Sequence, residues 1–233
     1  MIDTRMPAIV TDRFIPELFY DHFFIKVGKI QCIHGMDGKK IALPRQSLKT
    51  IQTQPLTLLY SAPLVLYGAR FSLQFADTFQ EEMKANHFLR QTWVMNEVDD
   101  LKVFQSQLIQ SLQKQQKSKL PYPMFSGGLN ESNWLVHFSP RHKRRLYKDV
   151  FGLSRKEMQN IQNIQSFLEQ TCDFGSQNPR IIRHVDPDVF YDQPHLNHTF
   201  KKMTGVAPVD YFETNSILQD NLMSASYNEF SGH

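Results

Sequence analysis

Long apolar runs are missing from these 233 residues, and no stretch approaches the roughly 20 that cross a bilayer, so no membrane partner is expected. The N-terminus, MIDTRMPAIVTDRF, carries acids early and has no apolar core segment, which argues against a signal peptide and for a cytoplasmic chain. Cysteine is scarce: Cys32 and Cys172 lie far apart and without metal-ligand spacing. A disulfide between them stays open, but two reduced thiols suit a cytoplasmic chain better. Charge of one sign is also lacking, since the net charge is only +3. Absent too are a Gly-rich phosphate loop, a Ser-His-Asp order and paired carboxylates with a pocket between them. We therefore expect no catalytic residues, no cofactor and no enzyme.

The histidines supply little more. His22, His34 and His87 are scattered, and none forms a His-x-His pair. His195 and His198 stand at i, i+3 with no cysteine nearby, which fits surface histidines better than a metal site. What the chain does have is a globular balance, with 41% hydrophobic and 21% charged residues, and length for one large or two small domains. Its charge is unevenly spread. From Arg141 to Lys156 there are seven Lys or Arg against one acid, Asp149.

Texture divides the chain. From Phe23 to about Phe75 short strand-like runs follow one another, with Asp37-Gly38 as a hairpin signal, and predict a small sandwich or barrel. After Asp77 the pattern turns helical, in FADTFQEEMKANHFLRQTW and again in NEVDDLKVFQSQLIQSLQKQQKSK. Val98, Leu101, Phe104, Leu108 and Leu112 make the apolar stripe of the second helix. KLPYPMFSGGLNES, with two prolines and Gly127-Gly128, reads as a linker.

Beyond it, Ser139-Pro140 opens a helix that Gly152 ends, with Leu146, Val150 and Tyr147 facing inward. A long amphipathic helix follows, with Met158, Ile161, Ile164 or Gln165, and Leu168 on one face. The stretch DQPHLNHTFKKMTGVAP has Asp192 as N-cap, Leu196, Phe200 and Met203 as its apolar stripe, and Gly205 and Pro208 as its stop. Its outward face is Gln193, His195, Asn197, His198, Lys201 and Lys202, polar and positive. By itself such a face is either a solvated surface or a reader of nucleic acid.

SPRHKRRLYKDVFGLS and FYDQPHLNHTFKKMTGVAPVDYF share one grammar and are joined by one helix. Together they resemble the AraC/XylS family of bacterial transcription regulators. LPRQSL and LVLYGARFSLQFADTF in the front half are similar to the cupin-like N-terminal domain of one subgroup. The resemblance implies an α+β chain: a β-rich sensor or dimerisation domain with helices (1–118), a linker (119–130), an all-α double helix-turn-helix domain (131–213) and a polar tail (214–233). It implies two recognition helices in the major groove of double-stranded promoter DNA. The DNA-binding candidates are Arg141, Arg144, Arg145 and Lys148 in the first motif, and Gln193, His195, Asn197, His198, Lys201 and Lys202 in the second. It also leaves room for a small-molecule effector and a homodimer.

Four departures stand against that pattern. Pro187 falls inside an expected supporting helix, and Val189 takes the place of its turn glycine. The leading helix of the first motif, NESNWLVHF, is about two residues short, and Lys143 occupies an inward leucine position. The alternative is thus a degenerate family member acting through protein contacts, with weak or no DNA binding.

Overall fold

The computed structural model describes residues 9–34, 39–74, 88–90, 97–115, 124–127, 129–171 and 193–206. Pro187, Val189 and Cys172 lie outside them. The fold is mixed α+β. Among the described residues the strands are β1 (Ile9–Phe14), β2 (Tyr20–Val27), β3 (Ile30–His34), β4 (Lys39–Ala42), β5 (Gln46–Lys49), β6 (Leu56–Ser61), β7 (Val65–Phe71), β8 (Phe88–Arg90) and, after the first helix, β9 (Phe125–Gly127) and β10 (Asn130–Glu131). The helices are α1 (Leu101–Gln115), α2 (Pro140–Phe151), α3 (Arg155–Thr171) and α4 (Gln193–Thr204), with a short 3-10 turn at Asn133–His137.

Two four-stranded antiparallel sheets, ordered β1-β6-β3-β4 and β7-β2-β5-β8, form the sandwich. Along β6 the side chains alternate, and Leu56, Leu58 and Tyr60 point inward to meet Phe14, Phe23, Ile25, Ile30 and Cys32. β3 and β4 pair antiparallel from His34↔Lys39 to Gln31↔Ala42; the Asp37-Gly38 signal itself lies outside the described residues. β2 alternates poorly in sequence because both its faces are covered. Phe23 and Ile25 fill the sandwich, while Tyr20 and Phe24 pack beneath the helices.

Gly28 carries the chain from one sheet to the other between β2 and β3. Its φ is 90°, and a Cβ there would lie 2.6 Å from the Pro63 carbonyl oxygen. Only glycine fits that corner.

Some expectations shift. Phe88–Arg90, read as helix, is an edge strand paired with β5 through Leu48↔Leu89. The unfilled hydrogen-bonding edge of β5 outweighs local helical periodicity there. Leu101, expected in the apolar stripe of α1, is 45% exposed, because Asp100 caps the helix and puts Leu101 at its outer first position. Val98, Phe104 and Leu108 do face inward. Within the stretch 119–130, Met124, Phe125 and Leu129 are buried in the core.

That core is continuous across the two halves of the chain. Tyr20, Phe24 and Leu48 from the strands and Ile51 just after β5 share one apolar cluster with Leu135 of the 3-10 turn and with Tyr147, Phe151, Met158, Leu168 and Phe200 from the C-terminal helices. Gln165 Nε2 donates to the Pro16 carbonyl at 2.7 Å across the same boundary. Among the described residues no helix is long and apolar enough to cross a membrane.

Candidate nucleic-acid interface

The first basic helix is built by local rules. Ser139 is extended, and its Oγ accepts from the His142 N–H at 3.3 Å; Pro140 occupies the first turn, where no N–H is needed. Gly152 ends the helix at φ 70°. Tyr147 and Phe151 are fully buried, with Leu146 and Val150 half-buried beside them. The opposite face is therefore presented outward. Arg141, Arg144, Arg145 and Lys148 are all exposed, and because Arg144 and Arg145 each stand three or four residues from both Arg141 and Lys148, the four share one face.

The stripe is not uniform. Arg144 Nε turns back toward the Pro140 carbonyl at 3.4 Å. Arg145 approaches His142 Nδ1 at 3.5 Å, and the His142 ring stacks on Phe138 at 4.5 Å. Lys148 Nζ lies 3.1 Å from Glu157 Oε2, both about half exposed, so this pair is weak and readily exchanged for another anion.

Lys143, the departure at an inward position, is held by a partner. Glu131 on β10 accepts from Lys143 Nζ at 2.7 Å and from the Tyr147 hydroxyl at 2.9 Å, with Arg155 Nε at 3.4 Å. Burial alone would raise the Glu131 carboxyl. Those hydrogen bonds and the Arg155 charge turn the balance and hold it below its ordinary value. The Tyr147 hydroxyl is pushed up, first by burial and then by the carboxylate it serves. Glu131 is thus an ionic hub for Lys143, Tyr147 and Arg155. The segment expected to lead into this helix, NESNWLVHF, holds a five-residue 3-10 turn at Asn133–His137, with Leu135 buried and Val136 71% exposed.

The second basic helix, α4, anchors through Phe200 and Met203, both buried, and Phe200 meets Phe167 of α3 edge-on at 5.8 Å. Asn197, His198, Lys201 and Lys202 are exposed. Gln193, Pro194, His195 and Leu196 belong to the helix, but their side chains lie outside the described residues. Gly205 follows at φ 80°. Thr204 at the helix end is tied to the front half, its carbonyl accepting from Arg13 at 3.4 Å.

The first turn of α3 brings the two sets of candidates close. Glu157 pairs with Lys148 of α2 and also lines a recess with His198 and Lys202 of α4. This turn carries a reciprocal cap: the Ser154 N–H donates to Glu157 Oε2 at 2.7 Å and the Glu157 N–H to Ser154 Oγ at 3.2 Å. Burial would raise the Glu157 carboxyl, but the Ser154 and Lys148 contacts lower it. Sequence reasoning missed Glu131, Lys156 and Glu157. The Ser-x-x-Glu spacing at 154–157 is a legible capping signal. Nothing local in Asn-Glu-Ser marks Glu131 as a hub.

No family model matches the chain, and no curated protein does either. Among solved structures, ToxT from Vibrio cholerae is similar at 13% identity and a TM-score of 0.45, covering 88% of this chain and 97% of that one. A likeness this loose leaves the functional reading to the chain's own residues.

Proposed function

We propose that the chain is a sequence-specific DNA-binding transcription regulator of AraC/XylS type, with α2 and α4 entering successive stretches of major groove. One observation carries this reading: the exposed stripe of Arg141, Arg144, Arg145 and Lys148 on a helix whose other face is locked into the core. Arginine forks match guanine O6 and N7, and Asn197 suits adenine. Gln193, His195 and His198 add polar contacts. Lys148, Lys201 and Lys202 take phosphates and set affinity rather than sequence. Residues 131–213 form the DNA-binding unit in this reading and residues 1–118 the sensor or dimerisation unit, with 119–130 between them. An effector has room in a cavity of about 250 Å³ between the front half and α3, lined by Leu18, Phe19, Leu73, Gln162 and Gln165.

Salt dependence tests it. Duplexes from the chain's own upstream region should bind, with affinity falling at a log–log slope near −0.9 per neutralised phosphate. No binding of any such duplex at low salt overturns the reading. A second reading, a degenerate relative acting through protein contacts, is favoured by the five-residue leading turn and by Lys143 in an inward place.

A further inference from the structure

Between the first turn of α3, one edge of α4 and the loop before β6 lies a recess of about 440 Å³. Two helices supply its positive lining: Lys156 from α3, with His198 and Lys202 one turn apart on α4. Thr53 and Gln54 of the front half, Asn160 and Thr199 add neutral hydrogen-bonding groups. The single carboxylate in the lining, Glu157, is already engaged. Its Oε2 accepts from the Ser154 N–H at 2.7 Å, from Ser154 Oγ at 2.7 Å and from Lys148 Nζ at 3.1 Å. Among the described residues, neither Lys156 nor Lys202 joins an ion pair.

Two ammonium groups sharing a recess repel each other unless an anion comes between them. A group with several oxygens can accept from both and still reach hydroxyl and amide donors. The volume exceeds what a bare oxyanion needs, so an esterified one is accommodated together with part of its ester. We propose that this recess seats a phosphate group, held by the charges of Lys156 and Lys202 and oriented by His198 and the neutral donors from both halves. The proposal deepens the regulator reading and rests on it only for the phosphate's source. If the source is duplex DNA, the loop at Thr53 and Gln54 makes the front half a party to a backbone contact. A free phosphorylated small molecule offers the same chemistry.

The test uses the full chain and its Lys156→Ala, Lys156→Arg and Lys201→Ala variants, with thermal melts to establish folding. Lys201 is exposed on α4 but is not part of the recess lining. Calorimetric titration with pyrophosphate at constant ionic strength should show binding that weakens roughly tenfold in Lys156→Ala, as expected for one lost charge-assisted contact. Lys156→Arg should retain it, and Lys201→Ala should leave it unchanged. In duplex titrations, Lys156→Ala should also reduce the salt slope by about one if the phosphate belongs to DNA. A lost pyrophosphate site with an unmoved duplex slope assigns the recess to a free phosphorylated ligand and still supports it. Pyrophosphate binding that is indifferent to Lys156 overturns the proposal. So does its absence together with an unchanged slope. Duplex binding that needs Arg144 but not Lys156, with no pyrophosphate site, ends this proposal and leaves the regulator reading standing. A Lys156-dependent pyrophosphate site in a chain that binds no duplex does the reverse.

Discussion

Phe200 and Asn197 sit three residues apart on α4, one buried and one exposed, and this difference separates stability from binding. Phe200→Ala should cost about 3–5 kcal/mol in denaturant unfolding, because a filled site against Phe167 becomes a cavity. Asn197→Ala should leave unfolding nearly unchanged and weaken duplex binding by about 1–3 kcal/mol at one base position. Lys201→Ala should weaken all duplexes alike and flatten the salt slope by about one. A merely solvated helix would show the Phe200 effect and neither of the others. His22 makes a pH prediction. It is buried against Phe104, and desolvation pulls its pKa from 6.5 down to about 4. The unfolded chain takes up that proton first, so the folded state is unpenalised above about 6.5 and loses stability as pH falls towards 4. The loss should approach roughly 3 kcal/mol. Denaturation curves at pH 7 and pH 4.5 should show a smaller acid loss in His22→Leu than in the parent chain; equal losses would remove His22 as the cause.

At the scale of elements, two charge clusters hold pieces in register. On β2, Asp21 lies in register with Lys49 of β5 on one side and Arg70 of β7 on the other. Its carboxylate meets Lys49 Nζ at 2.6 Å and Arg70 Nε at 2.8 Å, while Arg70 also grips Glu17 at 2.6 Å. Burial would raise the Asp21 carboxyl, but the two cations and their hydrogen bonds hold it low. Opposite charges are matched here across three adjacent strands, which disfavours a register slip. Glu131 plays the corresponding part for the helices, joining β10, α2 and α3. Glu131→Ala leaves Lys143 and the Tyr147 hydroxyl partly buried without their acceptor. It should cost about 1–3 kcal/mol by thermal or denaturant unfolding. If the basic stripe reads DNA, the variant should also lose duplex affinity through a displaced α2, and Glu131→Gln should restore part of the stability. Unfolding curves superimposable on the parent's would show that the hub carries no weight.

At the scale of the molecule, one apolar cluster runs from the sheet through α1 to the C-terminal helices. Neither half completes that core alone. We expect a single unfolding transition in which a far-ultraviolet helix signal and tryptophan emission coincide; two resolved transitions would mean that the halves fold independently. The same packing bears on regulation. Arg13 on Thr204, and Pro55 against the open side of Gly205, place front-half groups at the end of α4. A ligand or partner that shifts those strands therefore acts directly on a helix proposed to read DNA.

Much of this was decided by local chemistry that a sequence carries openly. Ser139-Pro140 and Gly152 bound α2 because a cap and a left-handed stop need only neighbouring residues. The apolar spacing at Met158, Ile161, Ile164 and Leu168 marks the buried face of α3, since a helix repeats its faces every 3.6 residues. The exposed arginine stripe was legible for the same reason. Tertiary structure decided what depends on distant partners. Phe88–Arg90 became a strand because β5 offered an open edge, and β2 lost its alternation because helices cover its second face. Lys143 could turn inward only because Glu131 arrives from another element, and the recess at Lys156 exists only where α3, α4 and the front loop meet. Periodicity reports which face of a segment is buried; what covers that face is settled only when the segments pack.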